Sequence, residues 1–252
     1  MRRWINRFLF FGGLLILWEA VCRAKVWPPY LLPAPGAVIA SLGEGLRDGT
    51  IPVAVGASLT RLGIGFGAAI LIGTATGILL AVSRFLKETV GALVLGLQSL
   101  PSICWFPLAL LWFGLSEKSI VFVVLMGSVL SIAITVEDGI RAIPPIYLRV
   151  ARNLGARGVR LYAGVILPAA LPAFVAGTKL GWSFAWRSLL AGELLFATPG
   201  LGFLLTMGRE LNDMARVMAV MVVVMAIGYS VDRLFFSPLE RKLARVWGLV
   251  RA

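Results

Sequence analysis

Histidine does not occur among the 252 residues, which removes the side chain most often used near neutral pH as general base, proton shuttle or metal ligand. Cysteine is almost as scarce. Cys22 and Cys104 lie far apart in apolar runs, so no disulfide framework or thiolate metal cluster is expected, and both read as small buried hydrophobes. The phosphate-cradling pattern Gly-x-x-x-x-Gly-Lys-Ser/Thr is missing, so the chain is not expected to hydrolyse ATP unaided. No internal repeat, low-complexity tail or soluble domain is visible. Charge is thin, at 14% of residues, well below the share in a soluble domain.

Apolar residues fill the space: 59% of the chain is hydrophobic, with a mean hydropathy of +0.91. Several runs reach the roughly 20 helical residues that cross about 30 Å of hydrocarbon. Lipid offers backbone groups no hydrogen-bond partner, so such runs must cross as helices. They are too continuous for the alternating pattern of barrel strands. The sequence predicts an all-α membrane protein with about six spans, near residues 8–24, 56–82, 89–114, 119–137, 162–190 and 217–236. The amino-terminal run has a basic start but no small-residue cleavage site, and reads as a retained first span.

Net charge is +12. With both termini inside, the inner segments collect Arg2, Arg3, Arg7, Arg84, Lys87, Arg141, Arg149, Arg152, Arg157, Arg160, Arg233, Arg241, Lys242, Arg245 and Arg251. The outer side and its edges keep only Arg23, Lys25, Arg47, Arg61, Lys118, Arg209 and Arg216. The positive-inside rule therefore places both termini in the cytoplasm of a bacterial-type plasma (inner) membrane protein. Topology accounts for the cations, and nucleic acid is not needed. In the second predicted span, Gly63, Gly65, Gly67, Gly73 and Gly77 are expected to let a neighbouring helix approach closely. Residues 26–52, rich in Pro and Gly, read as an outer interfacial segment, and 197–217 as an outer loop dipping back toward the protein.

The inner loop, about residues 138–161, is the most unusual stretch. Pro144 and Pro145 suit a helix start and Gly155 a stop, predicting a short helix over residues 146 to about 154. At about 1.5 Å per residue it spans some 14 Å and cannot cross. Ile146, Val150 and Leu154 form one apolar stripe, while Arg149, Arg152 and Asn153 point elsewhere. Periodicity alone leaves two uses open: lying on an anionic leaflet, or inserting into a partner's groove.

This loop resembles the cytoplasmic signature of ATP-binding-cassette (ABC) importer permeases: Glu-Ala-Ala, three residues, Gly, nine residues, Ile, any residue, Leu-Pro. Here Ala151, Gly155, Val165, Leu167 and Pro168 keep that spacing, while Arg149 and Val150 stand in place of Glu and Ala, and Val165 in place of Ile. "LPAPGAV" at 32–38, "LQSLPSICWFPLALLWFGLSEKS" at 97–119, "VILPAALPAF" at 165–174 and "GLGFLL" at 200–205 extend the resemblance, closest to the nitrate/sulfonate/taurine-type branch. It implies a type I importer permease fold, with residues 1–252 as one transmembrane domain. The implied partners are a second permease copy, as a homodimer, two cytoplasmic ATPases that hold ATP and Mg, and an extracytoplasmic solute-binding protein. This chain itself would bind no cofactor or metal. Ile146, Arg149, Val150, Arg152, Asn153, Leu154, Gly155 and Ala156 would form the coupling surface, with Pro168 and Pro172 kinking the entry to span five.

Span five carries the one polar cluster within the membrane. On a wheel at about 100° per residue, Lys179, Trp182, Ser183, Trp186 and Glu193 share a broad face bordered by Arg187. Charges at that depth should face a cavity or a partner. One reading is a pathway wall for a small anionic solute. The other is bracing, with Lys179 and Arg187 paired to Glu193, Glu137 or Asp138. Near the outer face, Arg209, Glu210 and Asp213, with Arg216, form a mixed-charge set suited either to docking the binding protein or to plain solvation. A stand-alone secondary transporter or channel is the rival reading, though such proteins often show inverted repeats.

Overall fold

The computed structural model describes residues 2–196 and 198–247. Every regular element among them is helical. In chain order these are α1 (Arg2–Arg23), α2 (Pro35–Arg47), α3 (Thr50–Val82), α4 (Arg84–Gln98), α5 (Ser102–Phe113), α6 (Glu117–Arg141), α7 (Pro145–Asn153), α8 (Val159–Leu195), α9 (Leu201–Glu210) and α10 (Met214–Arg245). Among the described residues, α3, α6, α8 and α10 are long and apolar enough to cross a membrane, and α4 with α5 makes a fifth span if the bent pair counts as one.

The predicted third span is not a straight helix. The axis turns by 104° between α4 and α5, at Ser99–Pro101. Proline disfavours the helical conformation in the residue before it and donates no N–H. The chain restarts at Ser102 with a tight turn in which Cys104 N donates to Pro101 O (2.9 Å). Cys104 is exposed and Cys22 half-buried, which corrects the expectation that both are enclosed. Two of the three wide turns, Tyr162–Ile166 in α8 and Asp232–Phe236 in α10, end two residues before Pro168 and Pro238. A proline ring crowds the carbonyl one turn earlier, and widening that turn relieves the clash. The α-helix then runs on through Pro172 without a break.

The chain divides into two compact units, one comprising residues 1–58 and 193–226, the other 59–192 and 227–252. In the first, Trp18 Nε1 donates to Pro33 O (3.1 Å), tying α1 to the start of α2. Asp48 caps α3, accepting from Thr50 N (2.9 Å) and Thr50 Oγ1 (2.7 Å). These bonds, the backbone one foremost, hold its carboxyl below the ordinary aspartate value.

In the second unit α6 is the central helix. Of its most apolar stretch 56% is buried, against 28% for α3, 17% for α8 and 11% for α10. Its neighbours approach through small residues. On α3, Gly65, Ala69, Gly73 and Gly77 recur every four residues. A Cβ added at Gly73 or Gly77 would lie 2.7 Å from Val129 O or 2.5 Å from Ala133 O, both backbone atoms of α6. Gly63 and Gly67, expected to act alike, face open space. On α8, Gly177 and Gly181 meet Thr135 and Ile132 of the same central helix. Close backbone approach, rather than bulky side-chain interlock, sets this packing.

Candidate functional site

The loop between α6 and α8 folds as its prolines and glycine require. Pro145 opens α7, and Gly155, at φ +84°, closes it. Ala156 N donates to Ala151 O (2.9 Å) and Gly155 N to Arg152 O (3.0 Å), the paired bonds of a left-handed helix stop. One face of α7 is anchored. Ala151 is buried with Ile143, Leu161, Ile166 and Ala170, and Leu148 packs against them. The predicted stripe is the other face: Ile146, Val150 and Leu154 are 50%, 48% and 83% exposed, and Tyr147 lies with them. They line an open apolar groove of ≈ 640 Å³ with Pro168 and Trp247. Arg149, Arg152, Asn153 and Gly155 are exposed around it, and Ala156 is half-buried. Leu148 and Ala151 were legible as the anchor only once the start of α8 was in place.

In α8 the structure brings together Lys179, Trp182 and Trp186. Their partners come from α10 and α3. Lys179 Nζ sits 3.0 Å from both Asp232 Oδ1 and Glu240 Oε2, not beside Glu193, Glu137 or Asp138 as the bracing alternative supposed. Trp182 stacks on Trp186 at 6.0 Å with ring planes 9° apart, and Phe66 meets Trp182 edge-on at 5.6 Å. Ser183 Oγ donates to Lys179 O (3.3 Å). Arg187 is exposed, its guanidinium 6.0 Å over the Phe184 ring. Sequence reading missed Asp232 and Glu240. Their signal was two carboxylates eight residues apart inside the basic carboxy-terminal stretch.

Glu137 has its own partners, Lys87 Nζ (2.8 Å) and Arg141 Nε (2.9 Å). Arg141 also donates to Leu80 O (3.0 Å), stitching α6 to the end of α3. Arg84, Glu88 and Asp138 join these residues around a charged cavity of ≈ 820 Å³.

Glu193 belongs to the other unit and is fully buried. Ser58 Oγ donates to its carboxylate, lying 2.8 Å from each oxygen, and Gly202 N donates to Oε2 (3.0 Å). Leu201 N donates in turn to Ser58 Oγ (2.9 Å). In the mixed-charge set, Arg209 and Glu210 stand exposed at the end of α9, whereas Asp213 is half-buried and caps α10, accepting from Arg216 N (3.0 Å).

Helices long and apolar enough to cross a membrane, with a short two-faced helix between α6 and α8, mark a membrane-embedded protein. Residues 69–243 match the family of binding-protein-dependent transport system inner membrane components, and the chain belongs to that family, a permease component of ABC importers. It is 29% identical over 243 residues to the taurine transport system permease protein TauC of Escherichia coli K12, covering 94% of this chain and 88% of that one. It is 27% identical over 236 residues to the nitrate import permease protein NrtB of Synechocystis sp., covering 90% and 84%. A chain of the MetNI methionine ABC transporter, solved in inward-facing conformations, superposes with a TM-score of 0.67 at 21% identity over 75% of this chain and 94% of that one, a likeness of fold. Family membership sets aside the stand-alone transporter or channel.

Proposed function

We propose that this permease carries a small anion inward, driven by ATP hydrolysis on separate cytoplasmic subunits that engage α7. The observation that carries the reading is α7 itself. It is held firmly on one face and presents an apolar stripe ringed by Arg149, Arg152 and Asn153 on the other. A stripe of this kind fits a groove on a partner. In this reading α1 supplies the sixth span, both termini are cytoplasmic, and residues 1–252 act as one transmembrane domain. Two copies pair and work with two ATPases, which hold ATP and Mg. A solute-binding protein docks on the opposite side at Arg209, Glu210 and Asp213.

Gly155→Arg tests the docking. The position has open space around it, so the long side chain meets no clash and projects beside the stripe. The positive φ costs a residue with a Cβ about 1–2 kcal/mol, which strains the end of α7 without unfolding the chain. Expected is a permease that reaches the membrane while substrate-stimulated ATPase of the assembled complex falls at least tenfold, roughly what truncating one buried anchor residue costs at an interface. Normal ATPase and uptake in this variant would remove α7 from the docking role.

The solute class follows from α8. Lys179 and Arg187 place cations, and Trp182, Ser183 and Trp186 flat apolar surface with one hydroxyl, on the span predicted to line the pathway. Nitrate and taurine, named for the two relatives, are both small and carry an anionic group. Because Asp232 and Glu240 neutralise Lys179, Arg187 is the free-standing cation of this group and the stronger determinant. Arg187→Ala should reduce uptake of a radiolabelled anion severalfold, and Arg187→Lys should restore part of it. Unchanged uptake in both Arg187→Ala and Lys179→Ala would end the anion argument.

A further inference from the structure

A carboxylate sealed from solvent near the end of a membrane-spanning helix demands an explanation, because desolvation penalises its charge unless donors surround it. Glu193 meets that demand with groups from two other segments. Ser58 of α3 donates to the carboxylate, and Gly202 N, in the first turn of α9, donates to Oε2. The hydroxyl of Ser58 also accepts from Leu201 N. Two backbone N–H groups at the start of α9, orphaned in any helix, are thus consumed, and the negative charge lies where the helix dipole favours it.

The approach leaves no room for side chains. A Cβ at Gly200 would lie 2.5 Å from Glu193 Oε1, and one at Gly202 the same distance from Glu193 Cβ. Thr206 Oγ1 adds a bond to Leu194 O (3.2 Å) one turn further on. At the far end of this ten-residue helix stand Arg209 and Glu210, with Asp213 just beyond.

We propose that Glu193 is a positioning residue rather than a pathway wall: with Ser58 it latches the start of α9 to the end of α8, fixing the face that the binding protein contacts. The proposal rests on the docking reading above and adds the element that holds the docking face in place. A latched helix presents its charges without a prior ordering cost, so freeing it weakens binding.

The test uses the full transporter in lipid nanodiscs with its ATPases, titrated with its binding protein while ATP hydrolysis is followed. Hydrogen exchange over residues 200–206 is measured on the same samples. Glu193→Ala and Ser58→Ala should raise the binding-protein concentration for half-maximal stimulation at least roughly tenfold, as expected when one to two charge-assisted hydrogen bonds are broken. They should also accelerate exchange at 201 and 202. Glu193→Gln, which retains one acceptor oxygen, should lie between these variants and the native chain, and it carries the test with Ser58→Ala if Glu193→Ala fails to accumulate. Unchanged exchange would show that no latch exists. Faster exchange with an unchanged half-maximal concentration would confine Glu193 to local structure and overturn the proposal. Arg209→Ala combined with Glu210→Ala separates the two readings. If that pair leaves the titration unmoved while Glu193→Ala shifts it, the docking face is misplaced and the latch stands. If the pair shifts it and Glu193→Ala does not, the latch alone falls.

Discussion

Val150→Asp and Leu154→Asp should each abolish transport while leaving the permease folded in the membrane. Both side chains are already exposed in the chain, 48% and 83%, so a carboxylate there meets water and the fold is not taxed. If α7 docks as proposed, the same positions lie against a partner. An unpaired carboxylate buried in an interface costs about 3–5 kcal/mol, or roughly two to four orders of magnitude in affinity. The contrast with the anchored face makes the prediction specific. Ala151→Asp puts a charge into the Ile143–Leu161–Ile166 cluster and should instead reduce the amount of folded protein. Measuring membrane abundance, assembly with the ATPase and uptake side by side distinguishes the two failures. Loss of abundance in Val150→Asp, or normal uptake in Leu154→Asp, would mean that the stripe is not a docking face.

Gly77→Leu should prevent the second unit from folding. The added Cβ alone would sit 2.5 Å from Ala133 O and 2.8 Å from Val136 Cβ. The obstacle is partly the backbone of α6, which cannot rotate away as a side chain can. Overpacking of a close-packed interior costs up to about 3 kcal/mol where neighbours can adjust, and here they cannot. α3 must move bodily off the central helix, exposing the Ala69, Val129, Ile132 and Val136 cluster. Gly63→Leu, on the same helix but facing open space, should be tolerated. Comparable yields of folded, detergent-stable protein for these two variants would contradict the packing described for α3 and α6.

These glycines also show how far the sequence could be read. Five of them in one apolar run announced close helix approach, but only a neighbour selects the face. The helical period leaves Gly65, Gly73 and Gly77 together with Ala69 on one side, and the structure places α6 there. Composition revealed four of the long apolar helices and, as one run, the bent pair, and Pro144, Pro145 and Gly155 fixed α7 to within a residue, because these residues act locally through φ and the missing N–H. The bend at Ser99–Pro101 was written in the same code, yet it was hidden inside an apolar run long enough to pass for one span.

Long-range polar pairing was the least legible layer. Lys179 stood out as a charge in a span, but its choice of Asp232 and Glu240 depends on the wide turn of α10, which no periodicity argument supplies. Glu193 fell on the same wheel face as Lys179, and a wheel cannot show that another segment's backbone N–H groups claim it. Exposure is equally invisible to it: Cys104 follows the bend rather than sitting inside a straight helix.

The claim on which the account turns is that α7 is where the ATPase is engaged. Hydrogen exchange of residues 145–156, compared between the permease alone and the permease assembled with its ATPase subunits, tests it without any substitution. The account predicts that these amides slow by at least roughly tenfold on assembly, as a docked helix buries its exposed side. Exchange rates unchanged between the two samples, with protection arising on some other segment, would contradict it.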